Sequence, residues 1–181
     1  YQAVREAVPV VDAAVCKLIR LSGGVKVLCD DLETQTALRT FLERVNAGRG
    51  QHGIEAFLSQ YLDSLLVYGG AVGEMVPAAG NRTLAALLCG RLEQVELREG
   101  ESPLDFRICG PDEHGSMAEL PYQELLLFTP LHPEAAHPYG VSMLRGIPFM
   151  ADVLMKIYHT IGVNWERCGN VRFAVTCRDS E

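Results

Sequence analysis

The sequence is poor in the residue patterns that most often announce a chemistry. Its six cysteines (Cys16, Cys29, Cys89, Cys109, Cys168 and Cys177) form no C-x-x-C pair and no regular spacing. That excludes the paired-cysteine zinc and redox motifs and favours buried free thiols in a reducing cytoplasm over a disulfide framework. Basic residues are outnumbered 16 to 23, for a net charge of -7, so the chain is not built to hold nucleic acid by neutralising phosphates. No apolar run is long enough to span a membrane, because Arg145, Asp152 and Lys156 interrupt the best candidate. No secretory signal is visible either, since Tyr1 to Leu21 has neither an uninterrupted apolar core nor a cleavage site. A first residue other than Met, and an end in a strand-like stretch, read as a fragment of a longer protein.

Catalytic signatures are equally scarce. Gly23-Gly24-Val25-Lys26 lacks the spacing and the hydroxyl of a phosphate-binding loop, and no dinucleotide fingerprint opens a helix. Gly140-Val141-Ser142-Met143-Leu144 follows a nucleophile elbow for three residues, then puts Leu where the second Gly belongs; Ser142 reads better as a helix cap. His132 and His137 are five apart in a Pro-rich loop, the wrong interval for a metal pair on one helical face. His52 and His159 have no ligand-type neighbour at a useful spacing. Glu74 reads as an edge-strand carboxylate or an inter-subunit salt bridge rather than a buried acid beside Tyr68. No catalytic, cofactor-binding or metal-binding residue set results.

What is present is an ordinary globular composition, 48% hydrophobic and 22% charged, arranged in a definite order. Apolar residues at Val8, Val11, Val15 and Leu18 mark one helical face from Val4 to Leu21, with Pro9 tolerable if the helix proper starts there. Val25 to Cys29 reads as a short strand. Asp30 and Glu33 have the form of a capping box for a helix carrying Leu38, Phe41, Leu42 and Val45 and ending at Asn46-Ala47-Gly48. Ile54, Phe57, Leu58, Tyr61, Leu65 and Tyr68 mark the next helix, stopped by Gly69-Gly70. Beyond it the period shortens to strand-like segments: Ala71 to Val76, Leu84 to Cys89, Gln94 to Arg98, Leu104 to Cys109 and Leu125 to Phe128. Helices first and strands after predict an α+β domain with a mainly antiparallel sheet.

The longest helical pattern comes last. Pro138-Tyr139-Gly140 punctuates the loop before it, Ser142 is the expected N-cap, and Gly169 the expected left-handed C-terminal residue. Pro148 predicts a kink followed by a straight run to Cys168, roughly 30 Å at 1.5 Å per residue. Met150, Leu154, Ile157, Tyr158, Ile161 and Trp165 lie among apolar residues that exceed the stripe one contact needs. Arg145, Asp152, Lys156, His159 and Asn164 leave a narrow polar strip. Composition favours the buried central helix of a monomer; the alternative is a rod with neighbours on more than one side. A final strand is expected from Val171 to Cys177. Charge is uneven too: residues 141–181 carry five basic and four acidic side chains, net +1, leaving 11 basic and 19 acidic, net -8, in residues 1–140.

Two passages, taken in order, resemble the portal proteins of tailed bacteriophages and prophages. The first runs from Gly53-Ile54-Glu55-Ala56-Phe57-Leu58 through Tyr68-Gly69-Gly70-Ala71-Val72-Gly73-Glu74-Met75-Val76-Pro77, similar to the family's helix, tyrosine-glycine and glutamate-bearing strand. The second runs from Leu126-Leu127-Phe128-Thr129-Pro130 to Pro138-Tyr139-Gly140-Val141-Ser142-Met143-Leu144, similar to its strand, loop and helix start. The chain departs from the family at Gly69-Gly70-Ala71, where Asn or Asp often follows the glycine.

The resemblance implies a homo-oligomeric ring, typically of twelve subunits, at one capsid vertex of the virion, assembled in the bacterial host cytoplasm. Through it an ATP-driven large terminase would move double-stranded DNA without sequence-specific binding. Major capsid or scaffold proteins and head-tail connector proteins would be the other partners, and no cofactor or membrane is implied. Residues 1–140 would be the portal wing, 141–169 a stem helix and 170–181 the start of the clip, with the second stem helix and the crown absent from this stretch. Arg145, Asp152, Leu154, Lys156 and His159 would then face the channel or a neighbouring subunit. From a different class, a cytosolic α+β binding module or enzyme would use Ser142, His137 or a cysteine as its reactive group.

Overall fold

The computed structural model describes residues 1–80, 83–102, 105–134 and 138–168. The expected cap at Gly169, the strand from Val171 to Cys177, the clip, His137 and Cys177 lie outside them. Two compact units divide between Arg145 and Gly146, five residues beyond the boundary read from sequence.

The first unit is α+β. It opens with α1 (Gln2–Ala7) and α2 (Pro9–Ser22), two helices where periodicity predicts one. The break falls at Val8, whose φ of -124° and ψ of 88° lie outside the helical region, because the ring of a following proline disfavours it. Arg5 then ties the pieces together. Its guanidinium, with only 14% of the side chain exposed, bridges Asp12 of α2 and Asp63 of α4 (Ile54–Tyr68), the latter at 2.8 Å.

Val25 to Cys29 is not a strand of either sheet. Gln35 of α3 (Leu32–Arg44) takes its backbone instead, accepting from Cys29 N–H and donating from Nε2 to Val27 O at 2.8 Å. The N-cap of α3 is Asp31 rather than Asp30, its carboxylate accepting from Thr34 N–H at 2.7 Å. That moves Glu33 out of the capping-box position. Nor does α3 run on to Asn46: Val45 leaves the helix at φ -51° and ψ 135°, and Asn46–Gly48 forms β1. The period-2 spacing of Val45 and Ala47 puts both into the core with Phe57 and Leu87, flanked by Phe41, Tyr61 and Met75.

β1 pairs antiparallel with β2 (Gln51–His52) and parallel with β4 (Leu84–Gly90). β4 lies antiparallel to β3 (Gly70–Pro77), which pairs antiparallel with β8 (Leu126–Pro130). The five-stranded order is β2-β1-β4-β3-β8. β5 (Glu96–Glu99), β6 (Phe106–Pro111) and β7 (Met117–Glu119) make a separate antiparallel sheet. α4 covers one face of β3: a Cβ on Gly73 would meet the Phe57 and Tyr61 rings at 3.1 and 3.2 Å. Glu74 points to the other face and is exposed, but on a central strand, not the edge strand expected.

The second unit contains α5 (Ile147–Cys168). Pro148 stands at its second residue, where a missing N–H removes no intrahelical bond, and residues 143–146 form a non-helical turn, so no helix precedes Pro148 for it to kink.

Candidate functional site

The two passages singled out in the sequence meet in space. α4 ends at Gly69, left-handed at φ +88°, whose N–H returns to Leu65 O. The Gly69 carbonyl then accepts Leu131 N–H at 2.7 Å, and Leu131 O accepts Val141 N–H at 2.7 Å. Met143 N–H donates to Leu66 O at 3.1 Å, stitching the second passage to the last turn of α4. Both glycines are obligatory here. Gly140 has φ +84°, and a Cβ on it would overlap the Gly69 carbonyl oxygen and stand 2.6 and 2.7 Å from Leu131 N and O. A Cβ on Gly69 would run into the backbone of Val141 and Ser142, and one on Gly70 would lie 2.7 Å from Tyr139 O.

Ser142 is the polar pin of this junction and not the cap of α5, which starts five residues later. Its hydroxyl is buried, donates to Val67 O at 2.5 Å and accepts Leu144 N–H at 3.0 Å. An occupied, buried hydroxyl is not presented to a substrate. Ser64 plays a matching part, donating to Gly70 O at 2.9 Å. Tyr139 does what sequence reasoning missed: its hydroxyl accepts the Leu97 N–H of β5 at 2.8 Å, joining the small sheet to the junction. The only sequence signal was its place in the motif.

α5 is the other candidate. None of its residues is buried among the described residues. At 3.6 residues per turn, Ile157, Met150, Ile161, Leu154, Trp165, Tyr158 and Met155 share one arc of about 160°. Met150 is 62%, Tyr158 58% and Trp165 75% exposed, and Phe149 and Val153 add exposed apolar surface outside that arc. The polar side is broader than expected, with Glu166, Arg167 and Thr160 joining the strip, and Asn164 falling beside Val153 instead. Asp152 and Lys156 form an i,i+4 ion pair at 2.6 Å, and exposed His159 follows on the same face. Arg145 is not with them. It belongs to the turn before the helix and pairs with Glu134 at 2.8 Å. Leu154, part-buried, lies across the helix from the strip.

Cys16, Cys29, Cys89, Cys109 and Cys168 are free thiols, with Cys109 buried but Cys29 and Cys168 exposed, so burial is less general than expected. Burial pushes the Cys89 thiol up, away from nucleophilic use. Among the described residues no group of three or more His, Cys, Asp and Glu is placed to hold a metal ion, and no helix is long and apolar enough to cross a membrane. No family model matches the chain, and no curated protein is similar enough to count as a relative.

Proposed function

We propose that the chain is the wing and first stem helix of a tailed-bacteriophage or prophage portal subunit, a non-catalytic part of a ring-shaped channel for DNA packaging by the terminase and for head-tail joining. The observation that carries this is α5: a 22-residue helix with a broad apolar arc and no buried residue. Burying five of its large side chains would contribute roughly 8–15 kcal/mol, about the cost of bringing two proteins together. A pair is then marginal. Closure of a ring adds one further interface without a further association step, so many copies succeed where two do not.

The strip of Asp152, Lys156 and His159 faces the lumen in this arrangement, and its internal ion pair leaves little net charge to grip phosphates. That suits a tunnel through which DNA must slide, because each neutralised phosphate adds salt-dependent affinity and drag. The test is the mass by light scattering of the product of the full reading frame, with and without Leu154→Asp. The parent should form rings, and the variant should stay dispersed with its wing folded by circular dichroism. A parent that remains a stable monomer overturns the proposal.

A further inference from the structure

Val25 to Cys29 has the β-branched, alternating composition of a strand, and in the folded chain it has no strand beside it. The Gln35 side-chain amide bridges Val27 O and Cys29 N–H, groups that face the same side of an extended backbone. It imitates the N–H and C=O of one residue of a neighbouring strand along one edge. In that extended geometry the N–H and C=O of Lys26 and Leu28 face the other edge, and among the described residues nothing bonds to them. Val25, Val27 and Leu28 are 52%, 41% and 83% exposed. A strand sequence that is apolar, exposed and without a strand beside it is a local conflict that a missing partner resolves.

Among the described residues β8 offers an open acceptor at the edge of its sheet. Leu131 N–H bonds to Gly69 O with Gly70 opposite Pro130, so Leu127 and Thr129 turn their backbone groups toward β3 and Phe128 turns its N–H and C=O outward. Other edges are shorter or engaged: β2 is two residues long and β7 three, and the Leu97 N–H of β5 is taken by Tyr139. β8 has no charged residue to discourage pairing.

We infer that Val25–Cys29 of one copy adds antiparallel to the outer edge of β8 of a second copy, with Leu28 opposite Phe128. Each of these residues donates to the other's carbonyl, and Lys26 N–H meets Pro130 O; the N–H that Pro130 lacks is then the one bond lost. Donor and acceptor stand at opposite ends of one sheet. A cleft of about 660 Å³ separates Val25–Leu28 from His52 and Gly53 at the β2 end, whereas β8 closes the far end. Such a contact is head-to-tail and runs on from copy to copy until it closes. It needs only a second copy, and does not depend on the portal assignment.

The test compares the full chain with Leu28→Pro, which deletes the Leu28 N–H, keeps Val27 extended and leaves the Gln35 bonds in place. Light-scattering mass should rise with concentration in the parent and stay monomeric in the variant, with identical circular dichroism. Independently of any variant, hydrogen exchange at the parent's Phe128 amide should slow about tenfold or more between dilute and concentrated samples. A parent that is monomeric throughout, a Phe128 amide indifferent to concentration, or a Leu28→Pro chain that associates like the parent overturns the inference. If Leu154→Asp disperses the copies and Leu28→Pro does not, association through α5 stands and strand addition falls; the opposite result keeps strand addition and removes α5.

Discussion

Replacing Gly140 by Ala is the sharpest test of the junction that joins the two sequence passages. The new Cβ would collide with the Gly69 carbonyl oxygen and the Leu131 backbone, atoms that cannot swing aside as a side-chain end would. Forcing a left-handed conformation on Ala costs about 1 kcal/mol. Parting the strands enough to relieve the clash loses the Leu131-to-Gly69 and Val141-to-Leu131 bonds, about 1 kcal/mol each. Residual strain brings the total to roughly 3–4 kcal/mol, about 10 °C in Tm for a chain of this size. Gly50 supplies the control: it too has positive φ, +70°, but no atom lies within 4 Å of its Cβ position, so Gly50→Ala should cost about 1 kcal/mol and roughly 3 °C. Thermal and urea unfolding of the three proteins decide the matter. Equal destabilisation by the two substitutions would show that backbone conformation, and not the close approach of two chain segments, is what Gly140 provides.

Ser142→Ala should destabilise by about 1–3 kcal/mol in the same unfolding assay, because it leaves buried Val67 O and Leu144 N–H without their partner; a loss under about 0.5 kcal/mol would mean the hydroxyl is not a structural pin. Asp31 gives a pH prediction. Hydrogen bonds from Thr34 hold its carboxyl below the ordinary carboxylate value in the folded chain, so its contribution to stability is complete above that value and disappears as pH falls through the lowered one. Asp31→Asn keeps a capping side chain while removing the titration, and should flatten the acid limb of the unfolding midpoint; profiles that stay parallel would refute the assignment.

Local signals carried far where one residue type had one physical solution. Ile54 to Tyr68 with Gly69 behind it is an amphipathic run ended by the residue that most readily turns left-handed, and α4 ends there. β3, β4, β5, β6 and β8 are recognisable for the same reason, since turn residues and a period of two leave few alternatives, whereas the three-residue β7 is too short to show a period. Signals failed where two nearby groups competed for one role. Asp30 and Asp31 are equivalent caps in sequence, and only the position of Thr34 N–H selects the second. Asn46-Ala47-Gly48 has the chemistry of a helix stop, but the core beside Phe57 and Leu87 takes Val45 and Ala47 as alternating strand residues.

The chain by itself determined its α+β class, the placement of α4 and the amphipathic character of its last helix, because each follows from periodicity over a handful of neighbours. Only the tertiary structure decided that Gly69, Gly140 and Ser142 form one junction, and that Gln35 stands in for a strand. Those outcomes depend on contacts between residues tens of positions apart, and composition and spacing do not record which distant backbone will fill a glycine's empty side or accept a serine's proton.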